Sequence, residues 1–183
     1  MSPRGKSKIL LTGPPGCGKT TLIKKFVDNI SLPVCGFFTQ EIKEKGRRVG
    51  FEVESFGDNS RKAILAHIEV QSRYHVGRYN VDIDAFEKLI VPELENTIIG
   101  NKIIIIDEIG KMELFSERFK DILIDIFGSD RSLLASIMLK PQPFCDKLKN
   151  RLDSTILAIS PSNRNAVLDE LVNIFQNESP YKV

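Results

Sequence analysis

The sequence predicts an α/β chain built in three layers, a mainly parallel sheet with helices on both faces and an added antiparallel hairpin. Three observations predict it. Short apolar strands alternate with helical patterns along most of the 183 residues. Ile103 to Ile106 are four consecutive isoleucines, the composition of a central strand buried on both faces. Between residues 36 and 56 two strand-like runs flank a glycine turn, the second alternating at Val49, Phe51, Val53 and Ser55, as in a hairpin.

The first unit reads strand, loop, helix. Lys8 to Thr12 is a short apolar strand, Gly13 to Gly18 a loop, and Lys19 to Asn29 a helix with Leu22, Ile23, Phe26 and Val27 at helical spacing. Pro33 closes the unit. Val34 to Gln40 is the second strand, Glu41–Lys45 leads into a turn at Gly46, and Arg47 to Phe56 returns with Val49, Phe51, Val53 and Ser55 alternating. Arg61 to Val70 carries a further strand. Asp82 to Thr97 predicts a helix with Ile83, Phe86, Leu89, Ile90 and Leu94 on one face and Pro92 as a point of bending. Lys102 to Asp107 is the buried strand. Ser116 caps a helix reaching Phe127. Leu133 to Met138 is a strand, Pro143 to Arg151 a short helix and Thr155 to Ile159 the last strand. Ser162 is expected to cap the final helix, Asn163 to Gln176, before a loose tail, Ser179–Val183. Without linker, repeat or low-complexity segment, residues 1–183 are expected to form one domain.

Composition excludes several classes. The net charge of +2 is spread along the chain, so nucleic acid is not indicated. The densest basic run, Lys43 to Arg48, reads as a solvated turn. Ile103–Ile106 is far shorter than the roughly 20 apolar residues of a membrane span. The basic N-terminus lacks the apolar region of a signal peptide. Cys17, Cys35 and Cys145 form no Cys-x-x-Cys spacing, and His67 and His75 are too few for a zinc site. A cytoplasmic protein with reduced thiols, acting away from membranes, is expected.

Gly13-Pro14-Pro15-Gly16-Cys17-Gly18-Lys19-Thr20 matches the phosphate-binding pattern G-x-x-x-x-G-K-[ST] at every fixed position, between a strand and a helix as that loop requires. Glycines let backbone N–H groups approach phosphate without a Cβ in the way. Lys19 reaches the β- and γ-phosphates, the Thr20 hydroxyl is a Mg²⁺ ligand, and Thr21 joins the nucleotide contacts. The second half of such a site is an apolar strand ending in Asp, here Ile103-Ile104-Ile105-Ile106-Asp107-Glu108. Asp107 is the expected Mg²⁺ partner, and Glu108 is placed to deprotonate an attacking water. These residues predict a P-loop NTPase fold. The extra carboxylate leans toward hydrolysis, because a kinase must keep water out.

At these residues the chain resembles the small P-loop nucleoside-triphosphatases described from thermophiles, whose relatives include the cancer-related nucleoside-triphosphatase. The likeness runs in order through residues 7–176. It is carried by Gly36–Glu41 with Gly46–Val53, by Val76–Val81 with Phe86-Glu87, by Ile106–Ser116, which is the most specific stretch, and by Asn163-Arg164-Asn165. The resemblance implies a RecA-like core, a monomer, and hydrolysis of ATP, GTP and other triphosphates with weak base preference. Its nucleotide contacts would fall on Gly13–Thr20 and on Ile103 to Gly110, Ile109 included. Ile137-Met138-Leu139-Lys140-Pro141 follows the family's pattern only loosely.

Other residues stay open between function and packing. Lys111 touches phosphate or caps a loop. Arg164 follows the last strand, where it stacks on the base or meets γ-phosphate, or else lies in solvent. Arg47 and Arg48 form a lid or a solvated turn, and Arg78 and Tyr79 support the nucleotide or pack the fold. The leading expectation is a Mg²⁺-dependent hydrolase of ATP, GTP, CTP and UTP, with Lys19 and Glu108 catalytic. No Asn-Lys-x-Asp guanine motif occurs; Ser160-Pro161-Ser162-Asn163 does not match it. A small-molecule kinase and a nucleotide-switched regulatory or RNA-associated module are the alternatives.

Overall fold

The computed structural model describes residues 6–56, 60–96 and 102–178. Nine strands form one mixed sheet: β1 (Lys8–Thr12), β2 (Val34–Glu44), β3 (Arg47–Ser55), β4 (Lys62–His67), β5 (His75–Val76), β6 (Tyr79–Val81), β7 (Ile103–Ile109), β8 (Leu133–Ile137) and β9 (Ser154–Ala158). Their order is β5-β6-β4-β3-β2-β7-β8-β1-β9. The ladders joining β2, β7, β8, β1 and β9 are parallel, and those joining β2, β3, β4, β6 and β5 are antiparallel. The antiparallel addition is thus a four-strand wing hung on β2, larger than the hairpin predicted from alternation.

Five helices cover the sheet: α1 (Lys19–Asn29), α2 (Ile83–Glu95), α3 (Glu117–Gly128), α4 (Pro143–Lys149) and α5 (Arg164–Asn177). The buried side chains of α2, α3 and α4 pack on one face and those of α1 and α5 on the other. The isoleucines of β7 serve both. Ile104 and Ile106 join the first core, Ile103 and Ile105 the second. This period-2 division carries Asp107 to the α1 face. A ring cluster of Phe37, Phe86 and Phe119, with centroids 5.3 to 6.0 Å apart, ties β2 to α2 and α3.

Several boundaries differ from the sequence reading. β2 continues to Glu44, because Lys45 and Gly46 both take positive φ and turn the chain in two residues. β5 and β6, with the Gly77 turn between them, are too short to leave a periodicity, and His75 lies in β5. β7 runs two residues beyond Asp107. α2 starts on Asp82, whose carboxylate accepts the Ala85 N–H, and continues through Pro92 to Glu95. Its predicted end at Thr97, like the tail Ser179–Val183, lies outside the described residues. Ser116 caps α3 as expected. Ser162 does not cap α5: the N-cap position belongs to Asn163, and the Ser162 hydroxyl pairs with that of Ser160. Among the described residues no helix is long and apolar enough to cross a membrane.

Candidate active site

Parallel strands end on the same side, so β1, β7, β8 and β9 deliver their C-terminal residues to one edge. The Ile159 N–H donates to Thr12 O at 2.7 Å, closing β1 against β9 where the phosphate loop begins. Gly13 is needed for this closeness, since a Cβ there would lie 2.6 Å from Ile159 O and 2.8 Å from Cys17 Sγ. Pro14, Pro15 and Gly16 form the exposed crest, and Cys17 is buried beneath it, donating its N–H to Pro14 O. Gly18 stands at φ 99° and opens α1, whose N-terminus points into the loop. Lys19 is buried, and its Nζ donates to Gly13 O at 3.1 Å, inside the loop that would surround a phosphate. Thr20 is half-buried and Thr21 exposed.

Across the edge stands Asp107, 2% exposed. The Ser136 hydroxyl donates to its Oδ1 at 2.5 Å, while Oδ2 is buried and has no hydrogen-bond partner. Burial raises its pKa; the Ser136 and Thr20 hydroxyls and the charges of Lys19 and Lys24 oppose that rise. A buried carboxylate oxygen left unpaired in this way is costly, and a divalent cation shared with Thr20 would satisfy it. Among the described residues no three His, Cys, Asp or Glu side chains converge to hold a metal alone. Phosphate oxygens would therefore complete the shell, as Mg²⁺ ordinarily requires.

Glu108 follows, half-buried, on a cis peptide bond. Burial, and to a lesser degree Asp107, push its pKa up, and Lys19 holds it down. Ile103 to Ile106 and Ile109 are core residues of β7 that hold this end in place, and Gly110 begins the turn after it. Arg164 opens α5 and reaches back over the loop: a Cβ at Gly18 would strike its guanidinium. A cavity of about 40 Å³ lies beside them, lined by Thr21, Leu22, Lys25, Arg164, Asn165 and Leu168.

A family model described as NTPase matches residues 8–172. The chain belongs to this NTPase family. The nucleoside-triphosphatase THEP1 of Thermotoga sp. strain RQ2 is 40% identical over 92% of this chain and 95% of its own length. The human cancer-related nucleoside-triphosphatase is 33% identical over 92% of this chain and 96% of its own. The crystal structure of THEP1 from Aquifex aeolicus superposes with a TM-score of 0.84 at 34% identity, covering 92% of this chain and 99% of that one. The resemblance read from the motifs and the P-loop fold are both borne out.

Within this NTPase the structure adds residues that the motifs do not contain. β8 lies between β7 and β1, so Ser136 stands between the two halves of the site. The Thr39 hydroxyl donates to Asp107 O at 2.6 Å from β2, and Lys24 stacks on Phe38 at 4.0 Å. Glu113, in a 3-10 turn Glu113–Phe115, is buried close to Glu108. A lone serine in Leu133-Leu134-Ala135-Ser136-Ile137 and an acid inside Met112-Glu113-Leu114 were the available signals. Arg48 is not a free lid residue: it donates to Glu41 at 2.6 Å and to the Tyr79 hydroxyl at 3.1 Å. Arg78 stacks on Tyr79, and Lys111 is exposed.

Proposed function

We propose that the chain is a Mg²⁺-dependent phosphohydrolase that cleaves the γ-phosphate of ATP, GTP, CTP and UTP to the diphosphate and phosphate. The observation that carries this reading is the convergence of Lys19, Asp107 and Glu108 at one strand edge, with one Asp107 oxygen buried and unpaired.

In this reading the N–H groups of the Gly13–Gly18 loop and the N-terminus of α1 cradle the phosphates. Lys19 exchanges its Gly13 contact for the β- and γ-phosphates. Fixed donors aimed at developing charge are usually the largest catalytic contribution. Thr20 and Asp107 hold the Mg²⁺, which when bound neutralises phosphate charge and orients the γ-phosphoryl group. Glu108 takes the proton of the attacking water. Burial raises its pKa, the direction that makes a carboxylate a stronger base.

Arg164 and Thr21 take the nucleoside end, beside the small cavity. Broad base tolerance belongs to this reading because no Asn-Lys-x-Asp guanine motif occurs in the sequence, and the Asn163 side chain donates to Ala158 O and accepts the Ser160 N–H. The unit is a single domain over residues 1–183, a monomer of the cytoplasm, with Cys17, Cys35 and Cys145 buried as thiols.

Purified protein given each triphosphate with Mg²⁺ and no acceptor should release phosphate from all four. Chelation of the metal should abolish the release. Turnover that needs an added hydroxyl acceptor would instead make the chain a kinase.

A further inference from the structure

We propose that Glu113 is a positioning residue for this hydrolysis: across the open space at Gly110 its carboxyl group holds the Glu108 side chain toward the attacking water. The inference rests on Glu108 being the base.

Glu113 is 4% exposed, and a carboxylic acid is almost never so buried without partners. Those it has are local. The backbone amides of Gly110 and of Glu113 itself favour its charged form, against burial. The turn is then pinned from several sides. Leu114 N–H donates to Gly110 O at 3.1 Å, Ser116 N–H to Glu113 O at 3.0 Å, and Met138 N–H to Ile109 O at 3.1 Å. The segment after Glu108 is therefore tied to β8 and cannot drift.

Gly110 defines what lies between the two acids. A Cβ built on it would sit 3.0 Å from Glu113 Oε2 and 3.5 and 3.6 Å from Glu108 Cγ and Cδ. Both side chains thus border the place a Cβ would take, tight against Glu113 and in ordinary contact with Glu108. Gly110 is not in the left-handed region, so the requirement is for room. Burial first, then the charge of Glu108, pushes the Glu113 carboxyl up to about 8. In its protonated form the Glu113 carboxyl can donate across this gap to the Glu108 carboxylate. A base counts only while held within reach of its water, and a misplacement of about 1 Å can cost on the order of 100-fold.

The test compares Glu113→Gln, Glu113→Leu and Gly110→Ala with Glu108→Gln. It measures kcat and KM for MgATP, affinity for a fluorescent ATP analogue, and thermal melting. Glutamine keeps a donor and an acceptor, so Glu113→Gln should stay within about threefold of the parent kcat, while Glu113→Leu and Gly110→Ala should lose about 10- to 100-fold. KM and nucleotide affinity should not change. Parent kcat in folded Glu113→Leu would overturn the proposal, and so would a Glu113→Gln as impaired as Glu113→Leu. If Glu113→Leu does not fold, Gly110→Ala decides by the same criterion. Loss in Glu108→Gln with parent kcat in the other variants would remove this proposal alone. Parent kcat in Glu108→Gln would remove the base assignment, and this proposal with it.

Discussion

The parallel half of the sheet and its antiparallel wing are built from the same strand physics and come to different ends. The ladders that join β2, β7, β8, β1 and β9 to one another are parallel, so the strand termini collect at one edge. β7 and β8 are buried almost throughout. Asp107 and Ser136, two of the few polar residues among them, touch each other at that edge, and Glu108 follows on β7. In β3, β4, β6 and β5 all ladders are antiparallel, and no shared terminus exists. One face packs Phe51, Val53 and Leu65 into the core with α2. The other carries charge pairs such as Lys62 with Glu52 and Glu54. The comparison teaches that polar residues become a site where topology gathers them, and remain surface where it does not.

Four changes sharpen this contrast, beginning with the largest effect. Lys19→Ala removes the cation from the gathered edge and should cut kcat/KM by about 10²- to 10³-fold, as loss of one oxyanion donor does; steady-state phosphate release measures it. Phe37→Ala strikes β2, the strand both regions share. Phe37 is fully buried between the Phe86 and Phe119 rings, so denaturant unfolding should report a loss of about 3–5 kcal/mol. Turnover per folded molecule should be retained.

The third change concerns pH. The Glu113 carboxyl is raised from 4.5 to about 8 on folding, so the folded chain binds that proton more tightly than the unfolded one. Its contribution is fully present below about pH 4.5 and is lost as pH rises through about 8. Melting temperatures of the parent should therefore fall relative to Glu113→Gln between pH 5 and 8.5, by a gap that widens with pH. The smallest effect belongs to the wing. Arg48→Ala breaks an exposed pair with Glu41 and should cost less than about 1 kcal/mol by the same unfolding measurement. Phosphate release should be unaltered; a large loss there would move the wing into the site.

Much of this was legible in the sequence because it follows local rules. The Gly13–Thr20 spacing, the isoleucine run ending in Asp107-Glu108, and the alternation of Arg47–Ser55 each depend on neighbours along the chain. What was hidden depends on neighbours in space. No pattern in residues 133–137 says that β8 inserts between β7 and β1, so nothing along the chain marks Ser136. Glu113 stands unmarked inside Ile106–Ser116, and only the fold of its turn brings it close to Glu108. β5 and β6, with two and three residues, are stabilised by pairing with β4 and carry no periodicity of their own. Asn163 displaced Ser162 at the start of α5 because its side chain bonds back to Ala158 and Ser160.

The central claim is that Glu108 draws the proton from water at the edge where Lys19 and Asp107 meet. A single-turnover measurement of phosphate release from MgATP tests it most directly, with the parent and Glu108→Gln compared at matched nucleotide occupancy. Glu108→Gln should bind the nucleotide as the parent does and release phosphate about 10²- to 10⁴-fold more slowly. Release at the parent rate would contradict it.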